Sequence, residues 1–229
     1  MDVDEFELWE AEDAEEFSSS VAGDIGFIID QALDARREAI IALPAEDFLL
    51  DAYARLAEGK RDWRHVMIVP THDGIVAIDD PTSNVATLAR IFMPKGARVL
   101  PLSAANDDYK RAAADADARL QALNWPFDLV VLTMDDDGGV IGLKQGPDID
   151  EALTAADDRR CLGMLDDRGA EAISLSKRTI TNARTLLLAL SSPLQKAEAE
   201  NAVEGDDGIL ARILADVAVP VDAHVVAAE

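Results

Sequence analysis

"AIIALP", residues 39–44, is a run of five apolar residues that a proline ends. Such a run, stopped by a residue that cannot continue a hydrogen-bonded ladder, is typical of a strand buried on both faces. Residues 22–38 before it and 46–58 after it carry apolar side chains at helical spacing. "HVMIVP", residues 65–70, then repeats the buried strand. This alternation predicts a mainly parallel sheet covered by helices.

The rest of the chain continues the alternation. Strands are predicted at 97–102, 128–132, 172–175, 185–190 and 223–228, and helices at 83–93 (with Ser83 as N-cap), 107–123, 179–183, 195–202 and 209–216. The first twenty residues are acidic and only weakly periodic, so no element is predicted there. Because no repeat or low-complexity linker interrupts the chain, we predict one α/β domain over residues 1–229, a mainly parallel central sheet with helices on both faces.

Composition restricts the classes of partner. The chain has 45 acidic and 21 basic residues, a formal net charge of −24. This excess of negative charge argues against nucleic acids and anionic membranes as partners. One cysteine, Cys161, excludes an internal disulfide framework, and the acidic N-terminus does not resemble a signal peptide. We therefore expect a cytoplasmic protein, a monomer or homodimer, whose acidity is also compatible with a salt-rich cytoplasm.

Acidic turns follow three of the predicted strands. Ligands of open α/β sheets bind beyond the carboxyl ends of the strands, so these turns are expected to surround the functional site. They contain Glu46 and Asp47, then His72 and Asp73, then Asp135, Asp136 and Asp137 before Gly138 and Gly139. Three successive aspartates suit a cation, although no EF-hand spacing accompanies them, and they also suit a plain solvated turn. No metal site is predicted.

Four segments together resemble the 6-phosphogluconolactonase family, relatives of glucosamine-6-phosphate deaminase. "FDLVVLTMDDDGG", residues 127–139, is similar to the family's F-D-L-x-L-L-G-M-G-x-D-G-H, and "PTSN", residues 81–84, resembles the S-N that follows D-E-R-x-V-P. "SSPLQKA", residues 191–197, resembles G-x-x-K-A, and "VPVDAHVVAA" resembles the closing strand. The resemblance covers the chain from about Phe6 onward and implies the deaminase/ribose-5-phosphate isomerase-like fold. It also implies hydrolysis of 6-phospho-glucono-1,5-lactone, a step of sugar metabolism, without a cofactor.

The family's site residues carry over in part. The matching positions are Ser83, Asn84, Gly138 and Lys196 for substrate binding, with Lys196 on the phosphate, and Asp137 for orienting the site. The family's general base, a histidine, falls on Gly139, and its D-E-R falls on residues 72–74, so its arginine is replaced by Gly74. The glycine-rich phosphate turn falls on residues 44–49, where Pro44 lacks an N–H and two carboxylates repel phosphate.

These departures leave two functions open. In the first, the chain is a sugar-phosphate lactone hydrolase in which His72, at a strand end, supplies the base. In the second, the chain is an inactive or repurposed relative that binds a different small ligand or a protein partner. An acidic rim formed by Glu46, Asp47, Asp73, Asp135 and Asp136 would then favour a cationic ligand over a sugar phosphate. His65 and His224 are expected to be structural.

Overall fold

The computed structural model describes residues 6–103, 108–135, 138–205 and 207–226. The strands are β1 (Phe6–Ala11), β2 (Ala39–Leu43), β3 (Val66–Pro70), β4 (His72–Gly74), β5 (Arg98–Val99), β6 (Leu129–Thr133), β7 (Cys161–Leu165), β8 (Glu171–Leu175), β9 (Leu186–Leu190) and β10 (Val221–Val226). The helices are α1 (Ala14–Arg36), α2 (Leu50–Glu58), α3 (Asn84–Phe92), α4 (Tyr109–Gln121), α5 (Ile149–Thr154), α6 (Lys177–Thr181), α7 (Pro193–Glu204) and α8 (Ile209–Leu214).

A seven-stranded parallel sheet forms the centre of the fold, with strand order β1-β10-β9-β6-β2-β3-β5. Successive side chains of a strand face opposite sides, and β2 shows this directly. Ile40 and Ala42 join the core beneath α4, whereas Ile41 and Leu43 join the core beneath α1 to α3. The predicted α/β architecture, with helices on both faces, is confirmed.

The N-terminal segment differs from its prediction. Residues 6–11 form the edge strand β1, and α1 begins at Ala14 rather than near residue 22. Asp13 caps the helix by accepting from the Glu16 N–H at 2.8 Å, while the Glu16 carboxylate accepts from the Glu12 N–H at 2.6 Å. This reciprocal cap satisfies N–H groups that the first turn leaves unpaired. Asp-x-x-Glu was therefore a readable start signal.

A second, antiparallel sheet of order β4-β8-β7 lies beside the main sheet. The prediction that residues 172–175 join the parallel sheet is wrong, because β8 pairs with β7 as a hairpin. Its turn, residues 166–170, is held by the Asp166 carboxylate, which accepts from the N–H groups of Arg168 and Ala170 at 2.9 and 2.8 Å. A short turn of this kind joins only antiparallel strands. The hairpin brings this turn toward the carboxyl edge of the main sheet.

The two histidines that are expected to be structural lie outside the cavities described below. His65 is exposed and its Nδ1 lies 2.9 Å from Asp62, whereas His224 is buried with its Nε2 2.7 Å from Asp24. Among the described helices, none has the length and apolar character needed to cross a bilayer.

Candidate functional site

Two adjoining cavities lie at the carboxyl edge of the sheet. The first cavity has a volume of about 320 Å³, and the second about 410 Å³. Both are lined by Lys144 and Asp166, which therefore stand between them. Polar groups of the first cavity also include Glu46, His72, Asn84 and Glu171, and those of the second include Asp135, Gln145, Asp167 and Arg168.

His72 enters the first cavity as a neutral side chain. The Asn84 amide nitrogen donates to the His72 carbonyl oxygen at 2.9 Å, which fixes the amide orientation, and lies 3.0 Å from His72 Nε2. Nε2 must then accept, so we assign the proton to Nδ1, 3.3 Å from the Thr71 hydroxyl. Burial, with the nearby Lys144 charge, lowers the pKa of His72 to about 4. The lone pair that a general base needs is already engaged.

Asp73 faces away from the cavities. It is fully buried and accepts from the Ser83 hydroxyl at 3.1 Å and from the N–H groups of Asn84 and Val85 at 2.8 and 3.3 Å. Burial raises the pKa of the Asp73 carboxyl, while these hydrogen bonds oppose the shift. Asp73 thus closes the N-terminus of α3 and is not part of an acidic rim. Ser83, also buried, caps the same helix by accepting from the Ala86 N–H at 3.3 Å.

Glu46 presents an open carboxylate to the first cavity. The Tyr53 hydroxyl donates to the Pro44 carbonyl at 2.9 Å and the Leu49 N–H to the Glu46 carbonyl at 2.9 Å, so the turn is anchored from two sides. The side chain is 34% exposed, with Oε1 3.9 Å from His72 Nε2. No hydrogen bond from the described residues reaches its carboxylate. Burial raises the pKa of Glu46, and the Lys144 charge opposes this.

The loop that follows β6 uses its own polar groups. Asp135 Oδ1 accepts from the Gly139 N–H at 2.7 Å, and the Gly138 N–H donates to the Asp135 carbonyl at 3.2 Å. A Cβ atom at residue 139 would lie 3.0 Å from both carboxylate oxygens of Asp135. The Asp135 carboxylate therefore occupies the space that a side chain at residue 139 would enter. Asp136 and Asp137, both predicted site residues, lie outside the described residues.

Lys196 and Asp47 line neither cavity. Lys196 projects from α7 to Glu10 of β1, to which it is hydrogen-bonded, and lies 3.8 Å from Glu200. The hydrogen bond that Lys196 donates to the Glu10 carboxylate raises the pKa of Lys196. Asp47 begins a 3-10 turn, Asp47–Leu49. Of the predicted site residues, the structure brings Glu46, His72 and Asn84 together in the first cavity and places Asp135 and Gly138 on the second.

Sequence reasoning missed the residues that come from the opposite wall. Lys144 follows the β6 loop, whereas Asp166, Arg168 and Glu171 belong to the β7–β8 hairpin. The one available signal was that Lys144 is the first basic residue after the aspartate run. The hairpin residues carried no signal, because β7 itself was not predicted.

The sequence is similar to one known protein family and to individual relatives. Residues 12–213 match the family described as glucosamine-6-phosphate isomerases/6-phosphogluconolactonase. A 6-phosphogluconolactonase from Pseudomonas putida is 27% identical over 203 residues, which cover 86% of this chain and 84% of that protein. Another from Pseudomonas aeruginosa is 26% identical over 220 residues, covering 93% and 90%.

Solved structures agree on the fold. A 6-phosphogluconolactonase from Shewanella baltica superposes with a TM-score of 0.88 at 23% identity, covering 97% of each chain. A monomeric glucosamine-6-phosphate deaminase superposes with a TM-score of 0.78 at 14% identity, covering 96% of this chain and 97% of that one. Because the family match spans most of its length, the chain belongs to the glucosamine-6-phosphate isomerase/6-phosphogluconolactonase family.

Proposed function

We propose that this chain hydrolyses a sugar lactone in the first cavity. The reaction class follows from its relatives, which are 6-phosphogluconolactonases. The observation that carries the proposal is the Glu46 carboxylate, which is partly desolvated, open to the cavity and held by an anchored turn. A carboxylate in this state is suited to take a proton from water.

Glu46 replaces His72 as the base in this proposal. The imidazole of His72 is neutral, but its Nε2 accepts from Asn84, and its lowered pKa makes it a weak proton acceptor. Burial raises the pKa of Glu46, which favours proton uptake, and its carboxylate accepts no hydrogen bond from the described residues. His72, 3.9 Å away, is then a positioning residue that borders the carboxylate. Asp137 keeps its predicted orienting role.

The reaction uses one water molecule. The water oxygen attacks the lactone carbonyl carbon while Glu46 takes a proton from it, and the carbonyl oxygen becomes an oxyanion. The ammonium of Lys144, whose charge acts on both Glu46 and His72, is placed to stabilise that oxyanion. When the intermediate collapses, the ring C–O bond breaks and Glu46 returns its proton to the leaving oxygen. The product acid then releases a proton to solvent.

A second candidate is ligand binding without turnover. It is favoured by the β6 loop, where glycine stands at the position of the family's histidine and Asp135 fills the adjoining space. In that case the cavities keep the place of the family's site but not its chemistry.

The test measures the rate of lactone hydrolysis through the protons that the reaction releases, after the rate of spontaneous hydrolysis is subtracted. We expect saturable turnover that Glu46→Gln lowers by about 10²–10⁴-fold, the usual contribution of a general base. Asp51→Asn is the matched control, because this exposed carboxylate of α2 lines neither cavity, and it should retain wild-type activity. Activity should fall as pH decreases through the raised pKa of Glu46, which must be ionised to act. Wild-type rates equal to the background would leave only the binding function, and an active Glu46→Gln enzyme would remove Glu46 from the mechanism.

A further inference from the structure

The walls of the first cavity are negatively charged. Among the described residues, three carboxylates line it, from Glu46, Asp166 and Glu171, against the one ammonium of Lys144. His72 adds no charge at neutral pH, because its pKa is lowered to about 4. A concave surface with this balance concentrates negative potential and disfavours an anionic ligand.

The second cavity does not offset that charge. Arg168 and Lys144 face Asp135, Asp166 and Asp167, so carboxylates again outnumber cations. The N–H groups of Gly138 and Gly139, which would be natural phosphate donors, both donate to Asp135 instead. Among the described residues of the second cavity, Lys144 and Arg168 are therefore the cations that could meet a phosphate, and they face three carboxylates.

Two further donors implied by the family resemblance are also unavailable. Pro44, in the turn after β2, has no N–H, and that turn instead brings in the Glu46 carboxylate. The Lys196 ammonium donates a hydrogen bond to Glu10 of β1. A phosphate group bound near either position would meet carboxylates rather than donors.

The remaining wall of the first cavity is apolar. It is formed by Ile141, Met164, Leu165, Ala170 and Ala172. A surface of this kind packs against the C–H face of a sugar ring, while the carboxylates that line the same cavity accept hydrogen bonds from its hydroxyl groups. At about 320 Å³ the cavity lies at the small end of the range for small-molecule sites.

We infer that the substrate of this site is an uncharged aldonolactone without a phosphate group. The inference rests on the proposed lactone hydrolysis and names the substrate class of the same cavity. Selectivity arises because a dianionic phosphate is repelled by Glu46, Asp166 and Glu171, whereas a neutral lactone is not.

The experiment compares kcat/KM for glucono-1,5-lactone and for its 6-phosphate. We expect the uncharged lactone to be preferred by about tenfold or more, since each carboxylate facing a dianion across a solvated cavity contributes about fivefold. Asp166→Asn and Glu171→Gln should each shift the ratio toward the phosphorylated substrate, and the shift should shrink as salt rises. Asp115→Asn, an exposed change on α4 outside both cavities, should leave the ratio unchanged.

The inference is overturned if the protein prefers the phosphorylated lactone. It is also overturned if the ratio of the two kcat/KM values does not change in Asp166→Asn and Glu171→Gln. Either result leaves the proposed lactone hydrolysis intact. If neither lactone is turned over, the proposed function fails, and the charge argument is then decided by calorimetric titration with glucose and glucose 6-phosphate. Tighter binding of glucose supports the inference. Tighter binding of the phosphate, or binding of neither, overturns it.

Discussion

Replacing Asp73 by alanine separates two roles for this carboxylate. If Asp73 belonged to an acidic rim, its loss would leave stability unchanged and improve anion binding. In the structure it accepts hydrogen bonds from the Ser83 hydroxyl and from the N–H groups of Asn84 and Val85, at the start of α3. We therefore expect Asp73→Ala to destabilise the fold without improving anion binding.

The magnitude follows from what the alanine leaves behind. A buried donor without a partner costs about 1–3 kcal/mol, and loss of a helix N-terminal cap costs about 0.5–2 kcal/mol. Removing a fully buried carboxylate also relieves the cost of burying it, the same cost that raises the pKa of Asp73, and this offsets part of the loss. The balance is about 2–3 kcal/mol, or roughly 4–12 °C in Tm for a chain of this size.

Urea unfolding at pH 7, followed by tryptophan fluorescence, measures this loss. Asp73→Asn keeps one accepting oxygen and should fall between wild type and Asp73→Ala. Asp79→Asn, an exposed carboxylate in the same loop, is the matched control and should stay within about 0.5 kcal/mol of wild type. An Asp73→Ala protein as stable as the control would refute the capping role.

Three further predictions follow from single side chains. His72→Asn should flatten the pH dependence of stability, because a histidine whose folded pKa is about 4 takes up a proton on unfolding. Urea unfolding should show that wild type loses about 1–2 kcal/mol of stability between pH 7.5 and pH 5. An equal loss in the variant would contradict this. Gly139→Ala should lower the free energy of unfolding by about 1 kcal/mol, because the new Cβ would lie 3.0 Å from the Asp135 carboxylate oxygens. In a double-mutant cycle, Asp135→Gly should remove that loss, and simple additivity of the two changes would argue against the contact. Cys161 is buried, and burial raises the pKa of its thiol, so it should react with a thiol reagent only after unfolding. Rapid labelling of the folded chain would contradict this, because it would show that the surroundings of Cys161 open in the folded state.

The strands of the main sheet were predictable where they are buried on both faces. β2, β3 and β9 are fully buried along their length, so their sequences are continuous apolar runs. β1 was missed because "FELWEA" has neither a continuous apolar run nor a regular alternation: at this sheet edge Trp9 and Glu10 are both exposed. β7 was missed because it contains Gly163, where a Cβ would lie 2.7 Å from the Tyr109 ring. The requirement for glycine at residue 163 comes from contact with α4, which is distant in sequence, so the residues around Gly163 do not reveal it.

The candidate site was predictable only as far as strand ends locate it. Glu46 and His72 follow β2 and β3, and both line the first cavity, as position alone indicated. Strand geometry could have excluded Asp73, because neighbouring residues of β4 face opposite sides and only His72 and Gly74 then face the cavity. The hairpin residues could not be placed, because their position depends on how the second sheet packs.

The β6 loop contains the positions that match the family's M-G-x-D-G-H motif, and two of them are changed. Relative to M-G-x-D-G-H, this chain has aspartate at the first glycine, residue 135, and glycine at the histidine, residue 139. The structure shows why the two belong together, since the Asp135 carboxylate lies against the position of a Cβ at residue 139 and accepts its N–H. A histidine restored at 139 alone would meet that carboxylate. Among the described residues of the loop, the Asp135 carboxylate thus takes the space of the motif histidine. The proposed base, Glu46, lies instead on the turn after β2, which the Tyr53 hydroxyl anchors.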